Sequence, residues 1–518
     1  MFVVCLGLLV GSLFTAAVAQ TEFEATPFDL SEFRDFGKIE EHCGQPAAAS
    51  FFCHDLDATL TKISTKGVDF FFDQAGHLVA AFAKHQKGQN LRSYTVDNGQ
   101  DLIPFEAAIP GGSVLLDGEF FAPEDLEGEW ERTGRTSFLG TFRYRVADLQ
   151  VDKTVLVSNV SHTLEISLEV ARVGQAGASE DAGETGIAEE DAVTVQYAFP
   201  GIGRAQNPII KLGQGATFSQ DPLPQPVADP TYISLQSNQT RGIAIIMRPG
   251  ESRFEGLEAQ SLPSNRIAMQ KPLAADAGSS VSFALGVYTG PNELVRYDQE
   301  GYAELPGLFT PNILGRLSLA IIWVLEWIHG FVGNWGLSII VLTLLFRAVV
   351  WPLISTQTKS MYGMQQLQPK IQALQKKHKD DREKLTQETM KLYREAGVNP
   401  AGGCLPVILQ MPLFIILWRV FVNFEFNEGF LWLPDLGQAD PIYILPALYV
   451  AVMLGQSYFA ARGNPQSLRQ QVIINLVFVF IIINFPAGVI LYFVVSMLIQ
   501  VLQYWLISRQ QPSTAAAK

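Results

Sequence analysis

An arginine inside an apolar stretch long enough to cross a bilayer is the first feature that could do chemistry in this chain. Arg347 is the single charge in SIIVLTLLFRAVVWPLI, a setting that costs about 2.5–3.5 kcal/mol on an insertion scale. If Trp335 marks one interface, a 1.5 Å rise per residue puts Arg347 roughly 18 Å in, past the midplane. No acid is placed to neutralise it, because 403–424, 441–461 and 470–508 contain no Asp or Glu. Two ways of keeping the guanidinium hydrated remain. It can snorkel to the nearer surface, roughly five to eight residues away, or a water-filled cavity can reach it from that side. Thr343 (one turn before it), Gln410, Asn475, Ser496 and Gln500 are the polar residues available to line such a cavity. A wet cationic cavity shortens the hydrocarbon path for a polar segment and attracts acidic residues. That suits polypeptide insertion, and it equally suits an anion or solute transporter.

Little else in the chain has reactive spacing. Cys43 and Cys53 stand ten apart in HCGQPAAASFFC, with His42 and His54 beside them. No CxxC or second ligand pair accompanies them, so an exported location would make a disulfide the leading reading. A zinc site and two free thiols are the alternatives. HExxH, P-loop and GxSxG motifs are all missing, which argues against an enzyme and calls for no cofactor or metal. No lysine- or arginine-rich stripe dominates, so specific nucleic-acid binding is excluded.

The elements that must hold Arg347 follow from composition. Of 518 residues, 48% are hydrophobic and 17% charged, against about 25% charged in soluble domains. Residues 1–300 carry 21 Lys/Arg and 40 Asp/Glu, and residues 301–518 carry 16 and 11. An acidic part joined to an apolar, basic part indicates two solvents. Residues 1–20 contain an uncharged run ending in Ala17-Val18-Ala19-Gln20, an anchor or a cleavable signal that sends the next segment out of the cytoplasm. Residues 21–305 read as an antiparallel β-domain. Leu164, Ile166, Leu168 and Val170 alternate with Glu165, Ser167 and Glu169, and Val281, Phe283, Leu285 and Val287 repeat the pattern. The small, acidic stretch Gly174–Asp191 reads as a solvated loop.

Beyond 305 the pattern is helical. LSLAIIWVLEWI (317–328) is too short to span. Within 311–332 it predicts a helix lying in the interface, or else an extension of the next span. The segment 333–508 then holds five candidate spans, about 336–355, 403–423, 441–461, 470–485 and 487–508. Segment 356–400 has nine Lys/Arg, whereas loop 424–440 has none but carries Glu425, Glu428, Asp435 and Asp440. By the positive-inside rule 356–400, 462–469 and the tail 509–518 face the cytoplasm, which leaves 21–316 outside. In 356–400, Leu367, Ile371 and Leu374 mark one helix, and Asp380-Asp381-Arg382-Glu383 opens a second with Leu385 and Leu392 on its stripe. Gly397 and Pro400 close a helical hairpin.

Four runs make the chain resemble the YidC/Oxa/Alb family of membrane protein insertases, of the Gram-negative bacterial type. They are LLFRAVVWPL around Arg347, LQPKIQALQKKHKDDREKLTQETMKLYREAGV, NPAGGCLPVILQMPLF (Asn399–Phe414) and FPAGVILYFVVS (Phe485–Ser496), with WIHGFVGNWG also fitting. The resemblance implies a five-span α-helical membrane core plus the N-terminal segment, an exported all-β supersandwich, and a cytoplasmic helical hairpin that receives nascent chains. It places the family's groove arginine on Arg347, with Thr343 and Gln410 at other groove positions, and substrate contacts on Met411, Pro412, Phe414, Tyr492 and Phe493. It implies a non-catalytic insertase and chaperone in the bacterial inner membrane. Nascent membrane proteins, the Sec translocon, the ribosome, the signal-recognition machinery and membrane lipids would be its partners. Phe493 stands where many relatives have tyrosine, and the tail RQQPSTAAAK lacks their lysine-rich run.

Overall fold

The computed structural model describes residues 23–29, 59–84, 91–93, 109–173, 192–199, 208–221, 225–237, 243–250, 256–262, 266–276, 278–378, 381–397, 405–426, 428–460 and 482–510. The N-terminal run 1–20, Cys43, Cys53, the 174–191 loop, Asn475, most of span 470–485 and the tail beyond Gln510 lie outside the described residues. The chain divides into two compact units, with the boundary between Thr310 and Pro311.

The first unit is built from antiparallel sheets. The largest has nine strands, in the order Thr217–Gln220, Ile209–Gln214, Pro230–Gln236, Ile243–Pro249, Ser280–Pro291, Thr163–Arg172, Leu149–Ser158, Ser137–Val146 and Glu124–Arg132. A six-stranded sheet runs Val227–Ala228, Glu258–Leu262, Arg266–Leu273, Val193–Phe199, Ser113–Leu116 and Glu119–Phe120. A five-stranded sheet orders its strands in sequence from Ala25–Asp29 to Leu91–Ser93. The three share one core, in which Leu168 and Phe283, Tyr197 and Met269, and Phe70 and Phe72 are all buried. The alternation expected for 164–170 holds: Leu164, Ile166, Leu168 and Val170 point in while Glu165, Ser167 and Glu169 are exposed. The register sets Ile166 opposite Leu285 and Leu168 opposite Phe283, so the two patterned strands face one core.

From Leu285 to Gly290 the alternation stops, because every residue is buried. A strap after this strand covers its second face. It contains helix α1 (Leu294–Gln299) and packs Tyr297, Tyr302 and Leu308 on Tyr232, Ile246 and Tyr288. Side chains of the sheet stitch it down. Tyr232 donates to Pro306 O, Lys211 to Gly307 O and Leu308 O, and Gln236 to Leu308 O. Glu300, on the strap, accepts from Ser161 Oγ, His162 N and Thr163 Oγ1 at 2.6–2.7 Å. Burial opposes ionisation of that carboxyl, but the bonds and charge of His162 and the bond from Thr163 outweigh it and hold the group at about 2.

One side chain in this core has an unusual chemistry. Lys153 is 1% exposed and occupies an inward position between Val151 and Val155. Its ammonium donates to Gly76 O (2.9 Å) and Gly112 O (3.1 Å), joining two glycine turns to the large sheet. Asp73 and His77 are hydrogen-bonded nearby, Nδ1 to Oδ2 at 2.9 Å.

The second unit is helical. Helix α2 runs Ile313–Val332, 20 residues, extending past the apolar run 317–328 at both ends within the 311–332 segment. Arg316 and His329 lie within it. Its ends are set instead by Asn312, which accepts from Gly315 N, and by Gly333 in the left-handed region at φ 67°. At this length α2 is apolar and long enough to cross a bilayer, as is Trp335–Pro352. Helix α3 is continuous over Trp335–Lys377, 43 residues and so roughly 65 Å long, about twice the ~30 Å hydrocarbon core. The expected span and the first arm of the hairpin are therefore one rod. Asp381 caps the second arm, α4 (Arg382–Glu395), by accepting from Lys384 N. The arms meet across Leu374 and Leu392, rimmed by Lys370, Lys377, Lys391, Glu388 and Glu395. Helices α5 (Leu405–Asn423), α6 (Ile444–Ala460) and α7 (Ala487–Gln510) complete the described unit.

The burial of Lys153 sets a pH dependence. Desolvation pushes its amine down to about 7 from 10.5, with Asp73 only partly opposing. Between those values the unfolded chain binds a proton that the folded chain does not, so stability rises with pH across that window. Wild-type protein should gain about 2–3 kcal/mol between pH 7 and pH 9, measured by pulse proteolysis of the β-unit in urea. Lys153→Met should flatten that slope. An unchanged slope in the variant would assign the effect to another group.

Candidate functional site

Arg347 sits on α3, and α3 packs against α7 in parallel. Two contacts establish the direction. Gly488, at the start of α7, comes so close to Ile339 that a Cβ there would lie 3.3 Å from Ile339 Cδ1. Twelve residues further along α3, Gln503 Nε2 donates to Trp351 O at 3.3 Å. The numerical offset of about 150 between facing residues changes little from one contact to the other. Thr343 therefore lies level with Tyr492 and Arg347 level with Ser496.

The start of α7 is secured by the α5–α6 loop. Ala487 N donates to Gln438 O and Gly488 N to Leu436 O, which satisfies amides a helix start leaves free. That loop is shaped by its acids. Asp440 accepts from Ile442 N, Leu445 N and Trp432 Nε1 and so caps the start of α6, while Asp435 accepts from Gly437 N. Two of the four acids in the 424–440 loop, Asp435 and Asp440, are thus buried and bonded to backbone amides. Loop and elbow also fit together directly, since the ring of Phe430 fills the place of a side chain at Gly336.

Between these fixed ends lies a polar seam. Arg347 is 8% exposed, Thr343 1%, and Ser496 is buried. The Nε of Arg347 is buried with no hydrogen-bond partner, and among the described residues no carboxylate lies within ion-pairing distance of this guanidinium. Thr343 turns its hydroxyl back onto Ile339 O at 2.6 Å. Gln410 on α5 donates to the hydroxyl of Tyr492 on α7, which joins two of the expected lining residues directly. Gln500 is half-buried two turns beyond Tyr492.

The residues expected to contact substrate divide into two groups. Phe414 and Phe493 stack across α5 and α7 with ring centres 5.7 Å apart, and Phe414 also stacks on Phe485 at 5.8 Å. Tyr449 of α6 closes on Phe493 from the other side at 6.1 Å. Met411 is 50% exposed and Pro412 is exposed, so these two lie on the open side of α5. Tyr492 belongs to the polar seam, whereas its neighbour Phe493 belongs to the aromatic cluster, because successive helical residues point about 100° apart.

Tyr449, Phe485 and Gln503 were not among the residues singled out from sequence. Gln503 had a signal: Tyr492, Ser496, Gln500 and Gln503 recur at i, i+4, i+8 and i+11 in an otherwise apolar helix, which marks one face. Tyr449 and Phe485 had none, because an aromatic residue in an apolar span reads as core or lipid contact.

Comparisons with known proteins agree with this architecture. The family model described as "60Kd inner membrane protein" matches residues 327–514. A "Membrane protein insertase YidC" of Deinococcus radiodurans is 36% identical over 379 residues, which cover 71% of this chain and 82% of that protein. The protein of the same description from Cupriavidus metallidurans is 39% identical over 271 residues, 50% of this chain and about half (48%) of that one. Among solved structures, "Active YidC insertase crystal structure with the first transmembrane domain resolved" matches with a TM-score of 0.53 at 20% identity, over 88% of this chain and 92% of that chain, a likeness of fold. With a relative at this identity covered over most of its length, and with the family's runs carried on α3, α5 and α7, the chain belongs to the YidC family of membrane protein insertases.

Proposed function

We propose that this protein is a non-catalytic membrane insertase whose polar seam admits a segment of a nascent membrane protein and passes it sideways into lipid. The observation that carries this reading is Arg347, a buried guanidinium on an apolar helix with no carboxylate beside it among the described residues. A cation held without a counter-charge binds a passing anion more strongly than one already paired, and low surrounding polarity amplifies the attraction. An acidic tail would enter from the cytoplasmic side and rest near Arg347. The apolar part of the client would then exchange the Gln410–Tyr492 bond and the Phe414–Phe493 stack for its own contacts, leaving between α5 and α7 past Met411 and Pro412.

The charge distribution supports a topology for this reading. The hairpin of α4 and the distal part of α3 is rich in Lys/Arg and would face the cytoplasm, as would the C-terminus. The β-unit would be exported across the inner membrane, with Cys43 and Cys53 in an oxidising compartment. The 20-residue α2 would precede the groove helices as the interfacial element, its exposed Trp323, Trp327 and Phe331 meeting lipid. Nascent chains, the ribosome, the signal-recognition machinery and the Sec translocon are the partners this arrangement suits. The comparisons give insertases, which favours this role over solute transport.

Two experiments bear on this reading. In a depletion strain, Arg347→Ala should lower insertion of a single-span client with an acidic exported tail roughly five- to tenfold, a loss of about 1–1.4 kcal/mol. The same client with asparagines in place of its acids should be nearly unaffected, as judged by protease access to the tail. Full insertion of both clients would remove the charge from the mechanism. A photocrosslinker at Phe414 or Phe493 should capture a stalled nascent chain, whereas one at the fully buried Phe421 should not.

A further inference from the structure

Helix α3 carries an internal break immediately after its arginine. Pro352 lies within the helix and has no N–H to give to the carbonyl of Ala348, and its ring crowds that carbonyl. A helix weakened there can bend, and a bend between 348 and 352 would swing Arg347 relative to α7. Ser355 Oγ donates to Pro352 O on the same helix, but a bond within α3 cannot fix α3 against its neighbour.

Gln503 supplies what is missing. It is 1% exposed, it lies on α7, and its amide donates to Trp351 O, the carbonyl next to the break. This bond, from an uncharged side chain on one helix to a backbone carbonyl on another, ties the two helices together. Its effect is geometric. With the Gly488–Ile339 approach at the other end, α3 is pinned to α7 at two points roughly 18 Å apart, and Thr343 and Arg347 lie between them. Trp351 is one turn beyond Arg347 and shares its face, so the grip acts on the turn that carries the guanidinium.

We propose that Gln503 is a positioning residue for Arg347, holding the guanidinium against the Pro352 break at the depth from which it attracts acidic client segments. This rests on the groove reading of Arg347. A double-mutant cycle separates the two, using the acidic-tailed client and its asparagine counterpart in cells with the full-length chain. Gln503→Met keeps the volume and removes the donor. It should reduce insertion of the acidic client about threefold or more, spare the asparagine client, and add nothing in the Arg347→Ala background. Equal loss with both clients, or full additivity with Arg347→Ala, would overturn the positioning role while leaving the groove reading intact. If Arg347→Ala itself spared the acidic client, both would fall. Gln503→Asn, whose amide is one methylene too short to reach, replaces Gln503→Met if that variant fails to accumulate, and the same outcomes apply. As an independent readout, aqueous alkylation of Thr343→Cys in a background free of other cysteines should change rate severalfold on loss of Gln503. An unchanged rate would count against the clamp.

Discussion

An arginine without a counter-ion in an apolar helix is a standing cost of a few kcal/mol, and much of the helical unit can be understood as what makes that cost bearable. The guanidinium cannot be neutralised from within, since the helices around it carry no acid at depth. What surrounds it is polar without being charged. Thr343, Tyr492, Ser496 and Gln410 meet that description. Their hydrogen bonds are mostly to one another or to their own helix, as with Gln410 on Tyr492 and Thr343 on Ile339 O. The seam is thus closed to itself and open to a charge.

The β-unit solves a related problem in the opposite way. Lys153 is as deeply buried as Arg347, but its donors are used on Gly76 O and Gly112 O, and its proton becomes negotiable near neutral pH. Lysine can lose its charge when buried, whereas arginine stays charged. A buried lysine can therefore act as a structural staple whose charge depends on pH, whereas an arginine at the seam keeps its charge.

Much of this was legible in one-dimensional form and some was not. The half-buried strands announced themselves through period-2 alternation, and the register of Thr163–Arg172 on Ser280–Pro291 put both patterned faces in one core. The pattern failed from Leu285 onward because the strap packs on the second face, a contact between distant residues that alternation cannot encode. Lys153 stood at an inward parity position in LQVDKTVLVS, a usable signal that residue type alone would mask. Helix ends follow caps more closely than polarity. Arg316 and His329 lie inside α2, whose true limits are the caps at Asn312 and Gly333. Arg347 was legible because a charge in an apolar run is costly, and Gln503 was missed because a glutamine there is not.

The continuity of α3 gives these parts a mechanical relation. A helix roughly 65 Å long cannot fit within the hydrocarbon layer, so the turn that carries Arg347 and the arm that meets α4 belong to one rod. A displacement of the arm is carried toward the arginine unless it is absorbed on the way. Two prolines, Pro352 and Pro369, interrupt the hydrogen-bond ladder between them, and these are the points where the rod can give. The grip on Trp351 O lies at the distal end of the weakened 348–352 turn, with the Gly488–Ile339 approach on its near side. Bending in the distal rod is therefore isolated from the seam. A helix built this way can bend in its distal part while the stretch between Ile339 and Trp351 stays held against α7.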